Sequence, residues 1–213
     1  MSMEVLEDAA ASKALTIREA TEADAREILE IYAPYVIKTA ITFEYEVPEL
    51  EEFRGRIRRV KEKYPYLVAE HDGVMAGYAY VEAFKGRAAY DWAVETSIYV
   101  PMDGRRRGVG RRLYQALEDC MVRQGILNLN ACIGYPREED AYLTRDSVRF
   151  HEKLGYRMVG EFRQCGYKFG RWYDMVWMEK IIGEHRDNQP AVRWWPEIAG
   201  EFKATPRPTA SWR

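Results

Sequence analysis

Three cysteines, Cys120, Cys132 and Cys165, are too few and too scattered for a disulfide framework, and no CxxC pair offers a metal-binding spacing. The chain also lacks an excess of either charge. Its 32 Lys and Arg face 34 Asp and Glu, a formal net charge of -2, which argues against a general nucleic-acid binder because nothing is left over to neutralise a phosphate backbone. No apolar run approaches the ~20 residues that span a bilayer. Residues 1–13 are acidic and alanine-rich, without the basic-then-apolar pattern of an export signal. These absences set the expectation of a cytoplasmic protein with no membrane or nucleic-acid partner. No internal repeat is visible, and no resident metal is expected.

What is present is enough apolar material for one substantial core: 47% hydrophobic and 13% aromatic residues over 213 positions. Residues 15–20 alternate as a short strand, and Thr21-x-x-Asp24 supplies capping chemistry for a helix carrying Ile28, Leu29, Ile31 and Tyr32. After an irregular stretch, 39–47, Pro48 starts a second helix that places Leu50, Phe53, Ile57 and Val60 on one face and ends at Lys63. Residues 66–70 and 74–82 read as a hairpin around His71-Asp72-Gly73. A central strand beginning near Tyr90 leads into a basic loop and a helix over 111–124, stopped by Gly125. Residues 127–133 form a further strand, 135–142 are polar and acidic, and a helix covers 146–154. A closing hairpin is expected from 156–162 and 167–181. Three regions result: a disordered extension over 1–13, a folded domain over 14–182, and a tail over 183–213. The tail carries Pro190, Pro196, Pro206 and Pro208 and is expected to be extended or partly disordered. Trp194 and Trp195 offer the alternative that it folds back over the aromatics of the last strand.

The most informative stretch is 94–110, V-E-T-S-I-Y-V-P-M-D-G-R-R-R-G-V-G. Alternating Val94, Thr96, Ile98 and Val100 end at Pro101, an arginine and glycine loop follows, and a helix opens behind it. Such a junction aims backbone N–H groups and a helix dipole at whatever lies in front, which suits a phosphate ester. Gly108 and Gly110 let the main chain approach closely, and Arg105, Arg106 and Arg107 add charge. The loop lacks the third glycine of a dinucleotide fingerprint, and Arg111 stands where a Walker loop would carry Lys before Ser or Thr.

Arg105-x-x-Gly108-x-Gly110 between a strand and a helix resembles the pyrophosphate loop of the GNAT superfamily of N-acetyltransferases. Closer matches are Phe84-Lys85-Gly86-Arg87, Tyr90-Asp91-Trp92, Val94-Glu95, Ser147-Val148-Arg149, His151-Glu152-x-Leu154-Gly155-Tyr156 and Gly166-Tyr167-Lys168. In that order they resemble the phosphinothricin acetyltransferase branch over about 15–182. The resemblance implies an α/β (α+β) fold, the GNAT acyltransferase fold, with a mixed, mostly antiparallel sheet splayed at its middle and helices on both faces. It implies acetyl coenzyme A held by Ile98, Tyr99, Val100, Arg105, Arg106, Arg107, Gly108, Val109, Gly110 and Arg111, together with Thr144 and Ser147. Thr144 stands where the family's loop carries Asn, and the segment 135–146 is several residues longer than that loop. The family's acceptor therefore does not carry over position by position.

Acetyl transfer to an amine needs the amine neutral, so a base is required. Glu95 is the candidate; the alternative is an ordinary outward-facing carboxylate on an alternating strand. His151 occupies the place of the superfamily's acidic Tyr, where an imidazole near pKa 6.5 could donate a proton or order a water. By the resemblance Lys85, Arg87 and Tyr90 line the acceptor site, a cationic pair with a phenol suited to a carboxylate or phosphinate. The reading is an acetyl coenzyme A-dependent N-acetyltransferase acting by direct transfer on a small amino-acid-like amine, of phosphinothricin or methionine sulfone type, and working as a homodimer. Acetylation of a peptide or protein N-terminus, or a non-catalytic acyl coenzyme A-binding module, are the alternatives.

Overall fold

The computed structural model describes residues 15–104 and 108–202. The extension 1–13, Arg105, Arg106 and Arg107, and the end of the expected tail with Pro206 and Pro208 lie outside the described residues. The elements run β1 (Thr16–Glu19), α1 (Ala25–Lys38), α2 (Leu50–Lys61), β2 (Tyr66–His71), β3 (Val74–Ala83), β4 (Ala93–Tyr99), α3 (Val109–Gln124), β5 (Asn128–Tyr135), α4 (Asp146–Lys153), β6 (Arg157–Lys168), β7 (Arg171–Ile181) and the short α5 (Trp195–Ile198). The strands form one sheet in the order β1-β2-β3-β4-β5-β7-β6. Every pairing is antiparallel except β4 with β5.

Local chemistry accounts for the strand ends. Asp72 and Gly73 both take positive φ, 55° and 77°, the geometry of a two-residue hairpin turn between β2 and β3. Gly125 at φ 85° caps α3. On one face of the sheet, cross-strand tyrosines stack: Tyr66 on Tyr80 at 4.8 Å and Tyr78 on Tyr99 at 5.4 Å, with Tyr32 and Tyr35 of α1 edge-on to Tyr99. On the other face α3 buries Leu113, Tyr114, Leu117, Cys120 and Met121. The helices thus cover both faces, as expected.

Two expectations are corrected. The first strand of the closing hairpin does not stop at Phe162 but continues to Lys168, so Tyr167 belongs to β6 and the turn is Phe169-Gly170 at φ 51° and 73°. The breaker-like residues after Phe162 form a bulge instead of a turn. There the buried Asp174 carboxylate accepts the Gln164 N–H at 2.6 Å, satisfying backbone that the ladder leaves out.

The tail is the second correction. Trp195 and Ile198 are each 1% exposed and belong to the core. The N–H groups of Arg193 and Trp195 donate to the carbonyls of Gln124 and Lys63, and the Trp195 indole N–H donates to Glu19 at 2.9 Å. Trp194 meets Tyr64 edge-on at 5.8 Å and lies under the Lys63 ammonium. The described part of the tail therefore folds back, with Trp194 and Trp195 seated on the β1 and α2 side and not over the aromatics of the closing hairpin. Pro196 fits because it sits in the first turn of α5, where no N–H is needed.

Candidate active site

Side chains alternate along β4, so Val94, Thr96 and Ile98 face α3 while Glu95, Ser97 and Tyr99 face α1 and α2. The parallel ladder between β4 and β5 holds only from Ala93–Glu95 to Asn128–Asn130. Beyond Glu95 the strands part, and among the described residues the β5-facing main-chain groups of the rest of β4 have no ladder partner. The sheet is splayed at this point, with Glu95 at the apex.

Beyond the apex, α3 opens at Val109, two residues earlier than the sequence pattern suggested, because Gly108 takes φ 79° as its N-cap. Among the described residues no side chain caps this 16-residue helix, and Gly108 has none to offer, so its first N–H groups stay open. They face a cleft of about 580 Å³ lined by Ile98, Val100, Gly108, Val109, Gly110, Arg111, Thr144 and Ser147, which are eight of the expected cofactor residues. Gly110 brings the helix start close to α4: a Cβ there would sit 3.2 Å from Phe150 Cζ, a tight contact. Tyr35, Arg149, Phe150 and Lys153 also border the cleft and had been given no role from the sequence. The Tyr35 hydroxyl fixes the strand end by donating to the Val100 carbonyl at 2.6 Å. An uncapped helix N-terminus, a glycine N-cap and an elongated cleft with Arg111 and Lys153 at its rim fit a pyrophosphate-bearing ligand.

Tyr99 and Ile98 also line a smaller void between the parted strands, about 70 Å³, with Thr96, Tyr114, Ser147 and His151. His151 is 3% exposed, and burial lowers its pKa to about 4 despite a hydrogen bond to the Ser147 carbonyl. It is therefore neutral at pH 7. A carbonyl only accepts, so the Nδ1–H donates to Ser147 O at 2.7 Å, and Nε2 accepts from the Tyr114 hydroxyl at 3.0 Å. This differs from the expected imidazole near pKa 6.5. Thr96 Oγ1, 3.2 Å away, is a second acceptor for the one Tyr114 proton, because the Thr96 hydroxyl itself donates to the Asn130 carbonyl. No sequence signal marked Tyr114, because 37 residues separate it from His151.

Glu95 is half-buried. Burial, then the facing Glu82, push its pKa up against the nearby Lys85. Glu82 and Glu95 are direct partners in the β3–β4 ladder. Because β4 alternates, Glu95 and the Tyr114–His151 pair approach the splay from opposite faces of the sheet. Lys85 and Tyr90 border a separate cavity on the Glu95 face. Arg87 is exposed and lines none of the three cavities, its carbonyl closing a short turn with the Tyr90 N–H at 2.9 Å.

The longer segment 135–146 is ordered by one carboxylate. Asp140 accepts the N–H groups of Tyr142 and Leu143 at 2.8 Å each, the Tyr173 hydroxyl at 2.9 Å and Arg171 at 2.8 Å. Opposite it, the loop 39–47 is held by Lys168, 2% exposed, whose ammonium donates to the Val36 and Thr42 carbonyls at 2.8 Å each. Together these two loops wall the cleft through Thr144 and Ile41.

Comparison with known proteins agrees with this geometry. The Acetyltransferase (GNAT) domain family matches residues 17–177. A phosphinothricin N-acetyltransferase of Streptomyces viridochromogenes is 38% identical over 164 residues, 77% of this chain and 86% of the relative. An L-methionine sulfoximine/L-methionine sulfone acetyltransferase of Salmonella typhimurium is 32% identical over 175 residues, 80% and 96% of the two chains. Among solved structures, a GNAT superfamily phosphinothricin acetyltransferase from Sinorhizobium meliloti in complex with AcCoA superposes with a TM-score of 0.76 at 32% identity, covering 86% of this chain and 97% of that one. With the splayed sheet, the glycine-capped helix and a family match over most of its length, the chain belongs to the GNAT acetyltransferase family.

Proposed function

We propose that this protein is an acetyl coenzyme A-dependent N-acetyltransferase that transfers acetyl directly to the amine of a small amino-acid-like acceptor, in the cytoplasm. The observation that carries the reading is the end of the β4–β5 ladder at Glu95, beyond which the strands part beside the cleft that meets the N-terminus of α3. The free thiols Cys132 and Cys165, both exposed, suit a reducing compartment.

Acetyl coenzyme A, when bound, supplies the acetyl group as an activated thioester. The residues that would hold it are Ile98, Tyr99 and Val100 on β4, Gly108, Val109, Gly110 and Arg111 at the start of α3, and Thr144 and Ser147 beside α4, with the loop arginines 105–107 adding charge. Glu95 acts as the base. An α-amine with pKa about 8 is mostly protonated at neutral pH, and its proton must leave before nitrogen can attack. A carboxyl with a raised pKa is better matched to that transfer than an ordinary one. On the other face, Tyr114 and His151 line the void between the parted strands, where a water ordered by the pair is the proton source for the leaving thiolate. The unpaired main-chain N–H groups of β4 beyond Glu95 are placed to stabilise developing negative charge on a carbonyl oxygen. Lys85, Arg87 and Tyr90 bind the acceptor's acidic group.

The test is thiol release from acetyl coenzyme A across amino acids, phosphinothricin, methionine sulfone, polyamines and peptides with a free N-terminus. Turnover confined to amino-acid-like acceptors is expected; turnover of peptides alone, or of nothing despite tight cofactor binding, would replace the reading.

A homodimer completes the proposal. Tyr167 and Trp172 sit 5.0 Å apart on β6 and β7 and are 46% and 59% exposed, an aromatic pair on the edge of the sheet that a two-fold partner would cover. Light scattering of the full chain is expected to give twice the monomer mass, and a monomer at micromolar concentration removes this part.

A further inference from the structure

On the Glu95 face of the sheet lies a cavity of about 790 Å³, within the range of small-molecule sites. Ala93 and Asn130 border it, the first on the same strand face as Glu95 and the second its ladder partner on β5. Its walls are aromatic: Phe84 meets Trp177 edge-on at 5.4 Å and Tyr90 at 6.2 Å, and Phe162 of β6 is also among the lining residues. The Lys85 ammonium lies 4.8 Å from the Phe84 centroid and 5.6 Å from that of Trp177.

The other charged groups bordering this cavity are already matched. Glu179 is paired with Arg157 and Arg186 with Glu184, whereas Lys85 is in no ion pair among the described residues. The cavity therefore offers one uncommitted cation, a carboxylate nearby and a broad apolar surface.

Part of its border comes from beyond the matched family domain. His185, Arg186 and Gln189 belong to the segment after β7. This segment is tied down at both ends of its crossing: the His185 Nε2–H donates to Asn128 Oδ1 at 2.8 Å, and the Trp92 indole N–H donates to the Pro190 carbonyl at 2.8 Å. Further on, Trp195 is locked into the core, so the strap cannot drift away.

We propose that this cavity is the acceptor pocket, that it takes α-amino acids with a bulky apolar or aromatic side chain, and that the segment after β7 forms its rim. The proposal rests on the acetyltransferase reading and deepens it. The acceptor's amine lies toward Glu95, its carboxylate pairs with Lys85, and its side chain spreads over Phe84 and Trp177. A small polar acceptor would leave these rings in contact with water and gain nothing from them.

Steady-state thiol release at saturating acetyl coenzyme A tests this with L-phenylalanine, L-leucine, L-methionine sulfone, glycine and phenethylamine. L-phenylalanine is expected to exceed glycine and methionine sulfone in kcat/KM by about tenfold or more, as expected for one large apolar group in a fitted pocket. Phenethylamine, which lacks the carboxylate, and the variant Lys85→Met should each raise the acceptor KM by about tenfold. Gln189→Trp, which fills the rim, should raise the KM for L-phenylalanine and leave the KM for acetyl coenzyme A unchanged. Lys85→Met is the second arm because that side chain is exposed and outside the core. Acetylation of methionine sulfone but not of L-phenylalanine, or a KM for L-phenylalanine indifferent to both variants, overturns the pocket and leaves the acetyltransferase reading standing. No acetylation of any amine overturns both.

Discussion

At the scale of single residues, the raised pKa of Glu95 has consequences for both activity and stability. A carboxyl lifted by burial and by Glu82 becomes protonated at a higher pH than a free glutamate, and a protonated carboxyl cannot take a proton from the acceptor. The acid limb of kcat/KM is therefore expected to move to lower pH in Glu82→Gln, which removes a like charge, and to higher pH in Lys85→Met. A pH–rate series on the two variants reads the opposite shifts directly. For stability the sign is fixed by linkage: a carboxyl with a raised folded pKa favours the folded state only below its ordinary value, and that contribution is lost as pH rises through the folded value. Glu95→Gln is accordingly expected to lower turnover while raising Tm at neutral pH. Thermal unfolding at pH 7 checks it, and a lower Tm with full turnover would remove Glu95 from the mechanism. His151 works in the other direction. Its folded pKa of about 4 means that stability is complete above about 6.5 and falls as pH drops toward 4, by about 3 kcal/mol at the lower end. The gap in Tm between the parent and His151→Gln should shrink over that window.

At the scale of elements, the start of α3 separates folding from binding. Gly108 has no described atom within 4 Å of a built Cβ, but its φ of 79° strains any side chain, Asp less than most. Gly108→Asp should therefore fold with a loss of roughly 1 kcal/mol yet place a carboxylate where a pyrophosphate would sit, and calorimetry is expected to show acetyl coenzyme A affinity reduced by about a hundredfold or more. Unchanged affinity in the folded variant would refute the site. The loop 39–47 makes the complementary case. Lys168→Met would leave two carbonyls of the α1 end and the loop without their charged donor, at roughly 2–4 kcal/mol measured by denaturant unfolding. Gly166 belongs to the same docking, since a Cβ there would come within 2.4 Å of Phe43 Cζ.

At the scale of the whole molecule, the segment after β7 makes the domain larger than its motifs suggest. Trp195 fills a site between β1, α2 and α3 and is hydrogen-bonded to Glu19. Trp195→Ala is expected to cost roughly 3–5 kcal/mol, a value typical of a large aromatic removed from a core. Chemical denaturation measures it, and a loss under about 1 kcal/mol would show the segment to be an appendage. The same anchoring explains how a distal stretch of chain can hold a fixed position over the cavity beside Glu95.

What the sequence by itself determined is the order and kind of the elements, the glycine loop before α3 and the family resemblance. These rest on local chemistry: alternation along 94–100, the Asp72-Gly73 turn, Gly125 after α3, and side chains repeating at helical spacing all act within a few residues. What only the tertiary structure decided is non-local. The β4–β5 ladder ends at Glu95 while β5 stays paired with β7 as far as Tyr135, a parting of strands that no window of sequence records. Tyr114 and His151 become partners across 37 residues because α3 and α4 cover the same sheet face. The hairpin turn moved to Phe169-Gly170 because Asp174, on the opposite strand, satisfies the bulge. The tail packed through Arg193 and Trp195 because Gln124, Lys63 and Glu19, distant in sequence, present matching acceptors and an apolar site at one place.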